Sequence, residues 1–214
     1  RWALCGLANW SRSSGTMASN TSGASGVVDP AEAAPVLARL AELGRGLDWI
    51  LSTHHHFDHT GGNLEIKSAT GCRIVGPAAD RERIPGIDVT VAEGETFELG
   101  GAVAQVFDTP GHTSGHISFW FPDSAALFCA DTLFALGCGR LFEGSAEQMW
   151  ESLSKFLPMP DDTRVYCGHE YTLSNARFAV TVDPDNDALR LRAAEIERLR
   201  AEGTPTIPSR LGEE

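Results

Sequence analysis

Thr53-His54-His55-His56-Phe57-Asp58-His59 packs four histidines and one carboxylate into positions 54–59, directly after the run Asp48-Trp49-Ile50-Leu51-Ser52. That run has the length and the apolar, aromatic texture of a strand. Histidine and aspartate at this density do not fill a core. Neutral imidazole nitrogens and carboxylate oxygens are the ligands that zinc and iron favour. In an extended stretch His54 and His56 point to one side and His55 to the other. A turn after Phe57 then aims Asp58 and His59 at a second metal. A solvated histidine run or a purification tag fits less well, because neither would end a strand or embed an aspartate.

Working outward, three further segments carry ligand-type residues, each at the end of an expected strand. They are Thr109-Pro110-Gly111-His112-Thr113-Ser114-Gly115-His116, Cys129-Ala130-Asp131-Thr132 and Gly168-His169-Glu170. All seven histidines of the chain fall in these segments or in the first one. Collecting side chains from several strand ends is how mixed α/β architectures build a site along one sheet edge.

The rest of the chain supplies the strands and helices for such a scaffold. An apolar β-branched run, Gly26-Val27-Val28-Asp29-Pro30, is followed by helical spacing over 31–43 with Gly44 as a stop. Strands are expected at 73–76, 96–99, 103–109, 116–121, 125–129 and 164–167. A helix over 145–157 opens with the capping box Ser145-Ala146-Glu147-Gln148 and stops at Pro158 and Pro160. Helical texture returns over 175–180 and 187–202, the latter with Glu195/Arg198 and Glu197/Arg200 pairs. Residues 1–26, rich in Ser, Gly, Ala and Asn, show neither period and read as a flexible, atypical leader.

Composition narrows the functional classes. The 214 residues, 42% hydrophobic and 21% charged, suit a globular chain, and the formal net charge of −12 argues against nucleic acid as a partner. It leaves an anionic small molecule open, since bound cations reverse the local field. No apolar run reaches the length of a membrane span, and no signal peptide is recognisable at Arg1-Trp2-Ala3-Leu4. Cys5, Cys72, Cys129, Cys138 and Cys167 form neither a disulfide framework nor a CxxC knuckle, which points to a reducing cytoplasm. The sequons at Asn9 and Asn20 then read as chance matches.

The segments THHHFDHTGGN, TPGHTSGH, ADTLF, GCGRLFEG and GHEYT, in this order, resemble the glyoxalase II branch of the metallo-β-lactamase superfamily over roughly residue 26 to the end. HxHxDH is specific to the superfamily, and the last two segments narrow it to the branch. The resemblance implies an α/β fold, a four-layer αβ/βα sandwich over 27–169, with a helical substrate-binding extension over 170–214 that stops short of the family's final helix. It implies one metal held by His54, His56 and His112, another by Asp58, His59 and His169, and Asp131 between them. Zinc is the expected ion, with iron or manganese as substitutes. His55 and His116 match no ligand position and are expected to pack or support. Arg140, Phe142 and Tyr171 fall where the family contacts glutathione, with Phe142 lacking the hydroxyl of a tyrosine found in some relatives. Cys138, in the turn Gly137-Cys138-Gly139, has no histidine base near it in sequence and reads as structural.

The implied reaction is hydrolysis of S-lactoylglutathione, or another S-2-hydroxyacylglutathione, by a metal-bridging hydroxide, with Asp58 both ligating and orienting it. A monomer acting on a small-molecule thioester, the second step of methylglyoxal detoxification, is the corresponding expectation. The competing readings are a persulfide dioxygenase-like or other enzyme of the same fold, and a non-enzymatic relic that keeps its metal site. The texture of the leader further implies that the strand at 26–29 is left poorly paired.

Overall fold

Most of the chain's alternating and β-branched runs become strands of two six-stranded sheets in the computed structural model, which describes residues 3–5, 16–19 and 23–214, with side chains from Gly23 onward. The first sheet contains β1 (Ala3–Cys5), β2 (Thr16–Ser19), β3 (Ser25–Val28), β4 (Trp49–Leu51), β5 (Arg73–Pro77) and β6 (Val89–Val91), side by side in that order. β1, β2 and β3 pair antiparallel, and β3 to β6 run parallel. The second sheet begins with β7 (Thr96–Leu99), β8 (Ala102–Asp108), β9 (Ile117–Phe121) and β10 (Ala126–Ala130), each antiparallel to the next. A two-stranded ribbon, β11 (Leu133–Phe134) and β12 (Gly137–Cys138), follows. β13 (Arg164–Cys167) then pairs parallel with β10, and β14 (Ser209–Arg210) closes the edge antiparallel to β13.

Alternation along the strands divides the apolar residues into three cores. Val28, Leu51 and Val75 of the first sheet meet Phe97, Leu99, Val106 and Phe119 of the second in the central layer. On the outer face of the first sheet, Val27, Ile50 and Ile74 pack against α1 (Ala33–Leu43) and, after the one-turn α2 (Phe57–Thr60), against Ile66 of α3 (Asn63–Thr70). α1 ends at Gly44, which takes a left-handed conformation (φ 60°) and donates to the carbonyls of Ala41 and Leu40. On the outer face of the second sheet, Leu127, Cys129, Val165 and Cys167 pack with Phe156 and Met159, which follow α4 (Ala146–Ser154). The layers are therefore helix, sheet, sheet, helix. Both halves of the Ser145/Gln148 capping box at the start of α4 are formed.

α5 (Thr172–Val182) and α6 (Asp187–Ala201) form an antiparallel hairpin beyond the second sheet. Arg198 pairs with Glu195 as expected, but Glu197 reaches Arg177 on α5 and Arg200 lies 3.6 Å from Glu170. Partners outside α6 thus displace the expected pair within it. The extension is also not wholly helical, because its end returns to the sheet as β14.

The leader departs most from expectation. Its described parts are strands, and β2 pairs with β3 from Thr16↔Val28 to Ser19↔Ser25. The strand at 25–28 is therefore paired on both sides, by β2 and β4, and not exposed. Both sequons, at Asn9 and Asn20, lie outside the described residues.

Phe119 is fully buried between the sheets, with its ring edge-on to Phe97 at 6.3 Å. Phe119→Ala is expected to lower unfolding stability by about 3–5 kcal/mol through loss of buried area and an unfilled cavity. Urea denaturation checks this, and a loss below about 1 kcal/mol would mean that the sheets are not packed as described.

Candidate metal centre

Parallel pairing in both sheets brings the ends of β3, β4, β10 and β13 to one edge, where the loop between β8 and β9 joins them. Each ligand-type segment leaves a strand at this edge. The amide of Ile117 donates to the carbonyl of Thr53 (2.9 Å), tying the loop of the second sheet to the histidine segment of the first. Asp29 and Ala130, at the ends of β3 and β10, hold left-handed backbone conformations (φ 48° and 38°). Non-glycine residues rarely do so, and strain of this kind persists where surrounding contacts enforce it.

Two groups of three side chains converge there. His54, His56 and His112 form one, and Asp58, His59 and His169 the other, with ligand atoms in each group within 4.8 Å of one another. His112 Nε2 and His56 Nδ1 lie 3.1 Å apart, as do His59 Nε2 and His169 Nε2 at 3.2 Å. The Asp131 carboxylate stands between the groups: its Oδ1 is 3.4 Å from His59 Nε2, and its Oδ2 is 3.3 Å from His112 Nε2 and 3.4 Å from His169 Nε2. The one-turn helix α2 turns Asp58 and His59 away from the line of His54 and His56 and toward His169.

Hydrogen bonds to the remote ring nitrogens leave the inward ones free. His112 Nδ1 donates to the carbonyl of Arg140 (2.7 Å), and His59 Nδ1 donates to Asp29 Oδ2 (3.1 Å). The Thr53 hydroxyl donates to the same Asp29 oxygen (2.7 Å) and so accepts from His54 Nδ1 (2.9 Å). One carboxylate thus orients a histidine of each group, directly for His59 and through Thr53 for His54. Sequence reasoning missed Asp29 and Thr53, although Asp29 too is a carboxylate at a strand end.

The residues fit a pair of cations. His54 Nε2 is buried without a hydrogen-bond partner, and Asp131 Oδ1 likewise accepts no hydrogen bond. Buried polar atoms are normally satisfied, so such orphans facing a ring of like donors call for an ion. Burial, followed by the neighbouring histidines, holds His54 well below its ordinary pKa, and burial and His112 lower His56. Both are ready as neutral ligands. His59 behaves oppositely: burial alone would lower it, but its hydrogen bond to Asp29 and the charges of Asp29, Asp131 and Asp58 raise it to about 9. For Asp131, burial pushes the carboxyl up, yet the hydrogen bond with His169 and the charges of His59, His169 and His112 hold it at about 2. Three carboxylates around His59 therefore demand positive charge. Gly168 is required here for close approach, since a Cβ would stand 2.2 Å from Asp131 Oδ1.

The remaining histidines face elsewhere. His55 turns away from the cluster and bonds the buried Asp80 (2.9 Å), while His116 lies fully buried, stacked on His54 at 4.8 Å and held by the hydroxyls of Thr109 and Thr132. Burial takes His116 down to about 3, so it stays neutral. Glu170 is tied to Thr206 through its amide and hydroxyl, away from the cluster. Phe142 sets its ring edge against His56 and His112 (5.6 and 5.3 Å), and Tyr171 stacks on His169 at 5.0 Å. The Arg140 guanidinium lies 5.6 Å from the Phe142 ring. These three expected substrate contacts thus rim the two groups, Phe142 on one side and Tyr171 on the other. Cys138 sits in the β11–β12 ribbon with its thiol pKa raised by burial, the wrong direction for a nucleophile.

Metal-free protein should be sensitive to alkali in a defined window. His59 has an ordinary pKa of 6.5 and a folded value of about 9, so its contribution is complete below 6.5 and lost as pH rises through 9. The melting temperature of chelator-treated protein is expected to fall across that window, and reloading with zinc to abolish the slope. A flat profile in the metal-free protein contradicts this account of His59.

The family model described as metallo-beta-lactamase superfamily matches residues 19–169, and that described as hydroxyacylglutathione hydrolase C-terminus matches residues 170–214. The hydroxyacylglutathione hydrolase of Methylococcus capsulatus is 63% identical over 193 residues, covering 90% of this chain and 75% of that protein. The one from Rhodospirillum rubrum is 60% identical over 192 residues, with the same two coverages of 90% and 75%. Among solved structures, ETHE1 from Myxococcus xanthus superposes with a TM-score of 0.65 at 27% identity, over 95% of this chain and 98% of that one. TTHA1623 in a di-iron-bound form gives a TM-score of 0.59 at 27% identity, over 78% and 90%. The two family models meet between residues 169 and 170, where His169 leads into α5, and the identity to the bacterial enzymes runs through both matched regions. On these grounds the chain belongs to the hydroxyacylglutathione hydrolase family, within the metallo-β-lactamase superfamily.

Proposed function

We propose that the chain hydrolyses the thioester of S-2-hydroxyacylglutathiones, S-lactoylglutathione first among them, to a 2-hydroxy acid and glutathione, the second step of methylglyoxal detoxification. The observation that carries the reading is the pair of three-residue groups sharing Asp131 at one sheet edge. The hydroxyacylglutathione hydrolases it resembles at 60–63% identity support the substrate class.

His54, His56 and His112 would hold one divalent ion and Asp58, His59 and His169 a second, with Asp131 shared. Such ions supply Lewis acidity, which makes water nucleophilic near neutral pH and stabilises negative charge on a carbonyl oxygen. Zinc suits these nitrogen and oxygen donors best, with iron and manganese as alternatives. Asp58, at 56% side-chain exposure, is the carboxylate open to the substrate side, and it orients the attacking water and takes up its proton. The departing thiolate has a conjugate acid of pKa about 8.5 and needs no strong general acid. Arg140 offers a planar fork to a carboxylate of the glutathione moiety. Phe142 and Tyr171 wall the approach, with Phe142 contributing ring contact alone. Residues 170–214 act as the substrate-binding extension through Tyr171 at the start of α5.

The free thiols at Cys72, Cys129, Cys138 and Cys167 suit a reducing cytoplasm, and no helix among the described residues is long and apolar enough to cross a membrane. The enzyme works as a monomer on a small molecule, without nucleic acid.

Asp58→Ala removes a ligand and the proton acceptor together. S-Lactoylglutathione hydrolysis is expected to fall by about 10²–10⁴-fold while the melting temperature stays close to that of the parent. Near-normal turnover in this variant would sink the two-metal reading.

A further inference from the structure

Asp80, in the turn after β5, is fully buried although it carries a carboxylate. Its Oδ2 accepts from His55 Nδ1 (2.9 Å) and its Oδ1 from Arg83 Nε (3.0 Å). Gly115 makes this burial possible, because a Cβ there would stand 2.1 Å from Asp80 Oδ1. Arg83, anchored on Asp80, extends its other guanidinium edge to Glu143 in two bonds, Nη1 to Oε1 (2.7 Å) and Nη2 to Oε2 (3.2 Å). Glu143 Oε2 also accepts from the amide and the hydroxyl of Ser114, both at 2.8 Å. The Ser114 hydroxyl in turn accepts from Arg83 Nη2 (3.1 Å).

Three segments of the centre meet in this chain of contacts. His55 lies between His54 and His56, Ser114 lies two residues after His112, and Glu143 ends the strap of residues 139–143. That strap carries Arg140 and Phe142, and its Arg140 carbonyl accepts from His112 Nδ1 (2.7 Å). Its other backbone bonds near the centre are long: Gly139 N to Thr132 O (3.3 Å), Phe142 N to His112 O (3.2 Å) and, just past its end, Gly144 N to Gly111 O (3.1 Å).

We infer that Arg83 and Glu143 are positioning residues: clamped on the buried Asp80, they hold the 139–143 strap over the metal centre and thereby set the affinity for the thioester. The inference rests on the thioesterase reading for its kinetic consequence alone. An exposed ion pair would contribute little, since solvent screens it and two side chains lose freedom. This clamp differs because one anchor is buried and the guanidinium meets Glu143 bidentately, a geometry lysine cannot reproduce. The hydrogen bonds from Arg83 and from the Ser114 amide keep the Glu143 carboxyl near 2, so the clamp stays charged at neutral pH.

The test uses the metal-loaded full chain, the variants Glu143→Gln and Arg83→Lys, and the double variant. Replacing Arg83 strands the buried Asp80 and endangers folding, whereas Glu143→Gln changes charge at a partly exposed site. Hydrogen exchange at the Phe142 and Gly144 amides is expected to speed up about tenfold in Glu143→Gln, with amides of β8 to β10 unchanged. With S-lactoylglutathione, KM is expected to rise about fivefold or more while kcat stays within about twofold. Arg83→Lys should also raise KM, and the effect of the double variant on KM should be smaller than the two single effects combined, because both changes break the same Arg83–Glu143 contact. Unchanged strap exchange with unchanged KM would overturn the inference, and so would a uniform loss of protection across the fold. A parent chain inert toward S-lactoylglutathione would refute the thioesterase reading only, leaving the exchange result to decide the positioning role.

Discussion

Asp131 is a buried carboxylate placed between two sets of imidazoles, and most of the architecture at this edge exists to hold it there. Its oxygens stand 3.3–3.4 Å from His59, His112 and His169, which come from both sheets. Desolvation works against such a charge, and the surrounding nitrogens alone hold its carboxyl at about 2. The strand leading to it ends in a left-handed alanine, and the glycine beside it has no room for a side chain. Strain, burial and unpaired polar atoms concentrated at one point are individually destabilising. Together they are compatible with the proposed pair of cations, whose binding would then contribute to folding.

The sandwich makes this arrangement rigid. Three apolar cores pin each sheet on both faces, and the ligand-type segments leave from strands that have a neighbour on each side in their sheet. What remains adjustable is the rim. Phe142, Tyr171 and Arg140 are exposed, and they sit on the strap after β12 and at the entrance to α5. In the proposed reading, metal-holding side chains on a rigid frame and substrate contacts on loops would separate chemistry from recognition, a separation that lets one fold serve many substrates.

Much of this was legible in the sequence because the relevant signals are local. Each ligand segment is short, sits beside an apolar run and contains residue types that a core rejects. The Ser145 capping box and the Gly44 stop are equally local, and both appear as read. What escaped depends on distant partners. β1 and β2 lie in a Ser/Gly/Ala-rich stretch of low strand propensity and exist through pairing, β2 with β3 and β1 with β2. α3 buries only Asn63 and Ile66, too few positions to display a helical stripe. β14 is two residues long and is defined by β13. Arg83 and Glu143 are 60 positions apart, and nothing in either neighbourhood announces the other. Asp29 was within reach, since it ends a strand as Asp131 does, but an isolated aspartate before a proline reads first as a turn.

The most direct test of the account is metal content and S-lactoylglutathione hydrolysis measured on one sample of purified chain. The account predicts turnover with about two ions per chain, and loss of both on chelation. Two ions bound with no turnover would contradict the substrate, and turnover persisting after complete removal of metal would contradict the site itself.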